Sequence, residues 1–136
     1  MAGATAFLEA KILDSLFRTL AAYKPAAIYV GLFTAAPSDA GGGTEVSTGN
    51  YARQQVSQLD ANWNAPAGTP RSISNVNNIT WSAVTWTGTV THWGLFDAVS
   101  AGNLLMWFDC TDIVVNSGDT VRFLGGAPGA MVIQVD

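Results

Sequence analysis

Apolar residues at Phe7, Leu8, Ile12, Leu16, Phe17 and Leu20 recur every three or four positions, the spacing that draws one apolar stripe along a helix. Glu9, Lys11, Asp14 and Arg18 fall between them. The pattern predicts an amphipathic helix of about four turns, with Thr5 as N-cap and Pro25 as the stop.

After Pro25 the period shortens to two. Candidate strands run over Ala27–Phe33, Tyr51–Ser57, Asn78–Thr87, Thr89–Asp97, Asn103–Asp109, Ile113–Val115, Asp119–Leu124 and Met131–Val135. Runs of Gly, Asn, Asp, Ser and Pro separate them, residues that favour turns by positive φ, fixed φ or side-chain hydrogen bonds to the backbone. One helix followed by short strands with no helices between them excludes a parallel α/β sheet. The expected fold is mainly β: an antiparallel β-sandwich or jelly-roll-like domain of about eight strands, preceded by one N-terminal amphipathic helix. The 136 residues form one domain, with the helix in 1–24 and the β domain in 25–136. No repeat of propeller or solenoid period is present.

Alternation sorts the faces of these strands. Val121 and Phe123 oppose Thr120 and Arg122, and Met131, Ile133 and Val135 oppose Val132 and Gln134, as in half-buried strands. By contrast, "IYVGLF" and "NLLMWF" are apolar on both sides. Both faces of these strands therefore need cover, expected from the helix on one side and a neighbouring subunit on the other.

Composition supports assembly. Hydrophobic residues make up 49% of the chain and charged residues 12%, about half the charged share of a typical soluble domain. A surface so poor in charge is expected to be covered in part by partners or copies of the chain. The net charge of −4 and six scattered basic residues exclude nucleic acid, which clustered Lys and Arg would bind. One Cys, Cys110, rules out an internal disulfide, reads as a small buried hydrophobe, and with one His falls short of a zinc site. Charges interrupt the N-terminal apolar run, so neither a signal peptide nor a membrane span is expected.

Three consecutive glycines, Gly41 to Gly43, lie beside Asp39 and Glu45 in the stretch from Thr34 to Asn50. A phosphate loop would close with Lys and open a helix, whereas this stretch connects two strands; the spacing of a calcium loop is also missing. It reads as an adaptable backbone connection, with Arg53 at its base as the ion-pair partner of Asp39 or Glu45. His92 stands near Asp97 without a Gly-x-Ser-x-Gly motif or a second His, so no catalytic residue is assigned. Metal and cofactor sites are likewise assigned to no residue.

Trp63, Trp81, Trp86, Trp93 and Trp107 could stack on sugars if exposed on one face. Trp81 and Trp86 are an odd number of residues apart and point to opposite faces of an unbroken strand; only a bulge would align them.

"IYVGLFTAAPSDAGGGTEVSTGNYARQQV", "GTVTHWGLFDAVSAGNLLMWFD" and "NSGDTVRFLGGA", in this order and spacing, resemble a family of small tailed-bacteriophage virion proteins often labelled tail fibre protein. The resemblance implies a non-enzymatic virion component. Having neither the repeats nor the length of a fibre shaft, a compact β domain suits a capsid cement or decoration protein that bridges major capsid subunits on the capsid surface, with multivalency adding many modest contacts. The alternative is a tail fibre or receptor-binding tail component with a lectin-like face for host glycan. Phe7, Leu8, Ile12, Pro37, Asp39 and Glu45 are the expected assembly contacts, to the major capsid protein and to copies of the chain as dimer or trimer.

Overall fold

Thr5 caps the helix where the pattern places it. Its hydroxyl oxygen accepts the Leu8 N–H at 3.4 Å, and helix α1 follows over Ala6–Phe17. In the computed structural model, which describes residues 3–67, 69, 73–126 and the backbone of 132–135, the helix stops seven residues before the expected boundary at 24. Arg18 is already extended, at φ −125° and ψ 165°. No residue of α1 is buried, so tertiary packing does not reward a longer helix, and a short helix depends on such packing.

Two antiparallel sheets make up the body. The larger contains β1 (Gly3–Ala4), β2 (Ile28–Ala35), β3 (Thr44–Glu45), β4 (Gln54–Val56), β6 (Gly88–Phe96) and β7 (Leu104–Val115), in the order β1-β7-β6-β2-β3 with β4 also on β2. The smaller contains β5 (Ile79–Trp81), β8 (Val121–Leu124) and β9 (Val132–Val135), in the order β5-β8-β9. The mainly β, two-sheet architecture with one leading helix is the expected one.

Details differ for local reasons. The expected Asn78–Thr87 strand pairs only over Ile79–Trp81; Ala83 then takes φ 45° and redirects the chain. The expected strands at Asn103–Asp109 and Ile113–Val115 are one strand, β7, which absorbs the polar residues between them as a bulge. Val90 pairs Ile113 while His92 pairs Asp109, so Cys110 to Asp112 stand opposite Thr91 alone. A second irregularity sets Leu95 against Met106 but Phe96 against Leu104. Strands β1 and β3, two residues each, are too short to leave a pattern. Met131 and the side chains of 132–135 lie outside the described residues.

The main core is shared by both sheets: Val30, Leu32, Trp93 and Val115 from the larger meet Trp81, Val121 and Phe123 from the smaller. The reverse face of the larger sheet carries a second cluster of Phe33, Phe96, Leu104 and Trp107, with Tyr29 against it. Both faces are thus covered, as the apolar runs require, but the chain covers both by itself. Cover comes from β1, from Thr5, and from the segment after β2, whose Asp39 carbonyl accepts the Ala6 N–H at 2.9 Å and whose Asp39 carboxylate lies 3.4 Å from Trp107 Nε1. The start of α1 adds Phe7, beside Phe96 and Leu104, whereas its apolar side from Ile12 onward stays exposed.

Candidate functional site

Arg53 binds the segment of the three glycines to the body. Strand β3 brings Glu45 beside Phe33 of β2, and Arg53 leads into β4, which pairs with the same edge of β2 further along. The guanidinium donates Nε to Glu45 Oε1 and Nη2 to Glu45 Oε2, both at 2.7 Å. Its Nη1 donates to the carbonyls of Ala98 at 2.9 Å and Ala101 at 2.7 Å, and the group lies 3.3 Å above the Phe96 ring centre. Planar geometry suits Arg to this set of contacts, two to a carboxylate and one to a ring face. The Arg53 side chain is 8% exposed.

Tyr51 joins them from two residues away. It donates its hydroxyl to Glu45 Oε1 at 2.9 Å and accepts the Leu32 N–H at 2.8 Å. Burial, and next the Glu45 charge, push the Tyr51 phenol well above its usual range. Gly31 makes room for this group: a Cβ there would lie 2.8 Å from the Phe96 ring and 2.9 Å from Glu45 Oε1. Tyr51 and Gly31 escaped sequence reading, although the separation of two between Tyr51 and Arg53 put both on one strand face.

The glycine segment is therefore pinned, not loosely adaptable. Gly41 to Gly43 have φ of +91°, +78° and +78°, a left-handed run that only glycine adopts freely. Ser38 and Gly41 exchange backbone hydrogen bonds of 3.0 and 2.8 Å. Pro37 is buried within the chain. Glu45 is committed to Arg53. Asp39 is exposed, and Arg53 takes Glu45 as its partner instead.

In the adjoining turn, whose Ala98 and Ala101 carbonyls Arg53 binds, the Asp97 carboxylate accepts the Asn103 N–H at 2.6 Å, its Nδ2 at 2.7 Å and the Tyr23 hydroxyl at 2.7 Å. Burial works to raise the Asp97 pKa, but the hydrogen bonds from Asn103 and Tyr23 outweigh it and hold the carboxyl below its ordinary 3.8. Burial and the bond to Asp97 push Tyr23 up to about 12. Tyr23 also meets Phe7 edge to face at 5.5 Å, which ties the segment after α1 to the helix start.

His92 contacts Thr91 Oγ1 through Nδ1 at 2.8 Å, lies 3.5 Å from Asp109 through Nε2, and tilts against Trp107. Half-buried Cys110 has its thiol pushed up to about 11 by burial, then by the charges of Asp109 and Asp112. Among the described residues no group of three His, Cys, Asp or Glu side chains could hold a metal, and no helix is long and apolar enough to cross a membrane.

The tryptophans do not form a platform. Trp81, Trp86, Trp93 and Trp107 are buried. Trp81 donates to the Ala52 carbonyl at 2.7 Å, and Trp93 stacks on Phe108 at 4.3 Å. Trp81 and Trp86 share one core because the strand ends between them, a possibility the odd separation did not reveal.

Two apolar surfaces stand open among the described residues. On α1, Ile12, Leu13, Leu16, Phe17 and, just beyond it, Leu20 are exposed, Phe17 by 80%; Phe7 and Leu8, near the anchor, are half-buried. A groove of about 640 Å3 is lined by Ile28, Leu59, Trp63, Ile73, Leu95 and Met106, with Asp60 and Asn64 at its wall. Sequence reading missed the groove, since its residues come from four separate segments.

The family model described as Podophage GP4 fiber I protein gp80 matches residues 3–129. No curated protein matches the chain.

Proposed function

The chain belongs to the family of the podophage GP4 fiber I protein gp80 and is a bacteriophage virion structural protein; from that premise we propose that it serves in a tail fibre, by binding without turnover. The family description favours the fibre alternative over capsid decoration. It is the observation that carries this reading.

The structure suits a rigid fibre part. Its main core spans both sheets, and Arg53 fixes its longest glycine segment, so the body presents surfaces without rearranging. Copies of the chain and neighbouring fibre proteins are the partners, met through α1, whose Ile12, Leu13, Leu16 and Phe17 lack cover on the chain itself. Host glycan does not stack on Trp81, Trp86, Trp93 or Trp107, which are buried. His92, the single histidine, packs against Thr91, Asp109 and Trp107 as part of the sheet.

Labelling the protein on intact particles tests the location. A fibre part is found at the tail in few copies and is missing from tail-free heads. Tail-free heads that retain it across their lattice would overturn the proposal in favour of capsid decoration.

A further inference from the structure

The exposed face of α1 and the Trp63 groove are both apolar and open, yet no residue of α1 lines the groove. Thr5 holds the helix to the Leu104 and Leu105 carbonyls, at 2.6 and 3.1 Å, so its place is fixed from its first turn. We infer that α1 of one copy docks its Leu16 and Phe17 into the Trp63 groove of the next copy, a head-to-tail contact between copies of the chain.

The number of open surfaces covered favours this arrangement over pairing of two helices. Ile12, Leu13, Leu16, Phe17 and Leu20 are 46% to 80% exposed. Taking roughly 100 Å2 exposed for each, a helix-to-helix contact buries about 500 Å2 per copy, below the ~800 Å2 per partner of a standard interface. Head-to-tail docking buries a similar area at each contact, but every copy then makes two contacts and covers both its helix face and its groove, whereas helix pairing leaves the groove open. Charge agrees: Asp60 stands at the groove wall, while Arg18 adjoins Phe17 with a 68% exposed side chain. The link from Arg18 to Asp14 is an exposed i,i+4 pair, weak enough to be exchanged. The mostly apolar lining fits leucine and phenylalanine better than a sugar.

The inference rests on reading the chain as an assembling virion part, but its test uses the purified full chain and is independent of location in the particle. Leu16→Glu with Phe17→Glu spoils the helix face, and Leu59→Glu with Ile73→Glu spoils the groove; all four side chains are more than half exposed, so folding is retained and circular dichroism checks it. Sedimentation is expected to show an oligomer for the parent chain and a monomer for each variant. An equimolar mixture of the two variants is expected to give a one-to-one dimer, because one intact helix then meets one intact groove. A monomeric parent chain overturns the inference and leaves both surfaces to other virion proteins. A groove variant that stays oligomeric overturns it in favour of paired helices, and a mixture that stays monomeric overturns it as well.

Discussion

Arg53 and Glu45 meet through two parallel hydrogen bonds of 2.7 Å, with the guanidinium lying on Phe96. Removing one member strands the other in a largely dry site. Arg53→Ala is expected to cost about 3 kcal/mol in denaturant unfolding, the range for breaking a buried pair. Arg53→Lys should recover little of it, since an ammonium cannot bridge both carboxylate oxygens and both carbonyls. Equal stability of the lysine variant and the parent would refute this account.

Gly31→Ala tests the room left for the pair. Its methyl would press on the Phe96 ring and on Glu45 Oε1. A loss of about 1–3 kcal/mol is expected from overpacking. Combined with Arg53→Ala, the two losses should add up to less than their sum, because both act on the same carboxylate.

Acid should weaken the link between Tyr23 and Asp97. The folded pKa of Asp97 lies below 3.8, so the native state gives up that proton more readily than the unfolded chain. Its stabilisation is complete above pH 3.8 and is lost as pH falls through the folded value. The stability gap between the parent chain and Asp97→Ala should therefore be constant near neutrality and close in acid. Tyr23 has the opposite sign: its contribution is complete below pH 10 and disappears as pH rises through about 12. Acid and base titrations of unfolding free energy measure both.

Trp81→Ala should act on stability, not on recognition. The side chain packs in the main core at 5.9 Å from Phe123, and its loss is expected to cost about 3–5 kcal/mol. If the variant kept full stability but lost binding to host polysaccharide, the core assignment would fail.

Thr5→Val removes a cap and an anchor together. The cap contributes about 1 kcal/mol by itself, and loss of the hydroxyl also leaves the Leu104 carbonyl without that donor. Faster hydrogen exchange is expected over Ala6–Phe17, with unchanged protection in β6 and β7. Exchange rising equally in all three would mean that Thr5 serves the whole fold.

Sequence carried the architecture wherever a single period held over several residues, as in β2, β6 and β8 and in the start of α1. It failed where tertiary contact decided the outcome. The helix is three turns and not four, with Leu16 and Phe17 left exposed at its far end, and no local signal states that exposure. The β6–β7 bulge joined two expected strands because their polar interruption is opposed by Thr91 alone. For the site, the charges and the glycines of the 34–50 segment were visible, and their chemistry named Asp39 and Glu45 as partners of Arg53. Choosing between them needed the β2–β3 register, which a two-residue strand cannot announce. The Trp63 groove was hidden altogether, because separate segments make it only after folding.

The contact between Thr5 and Leu104 bridges 99 positions of the chain. During synthesis the helix emerges well before the strand that anchors it. Long-range pairing of this kind comes late and folds slowly. Until then Ile12, Leu13, Leu16 and Phe17 travel on a segment without its anchor, and the closing of the Thr5 contact on β7 fixes the direction in which the finished subunit offers them.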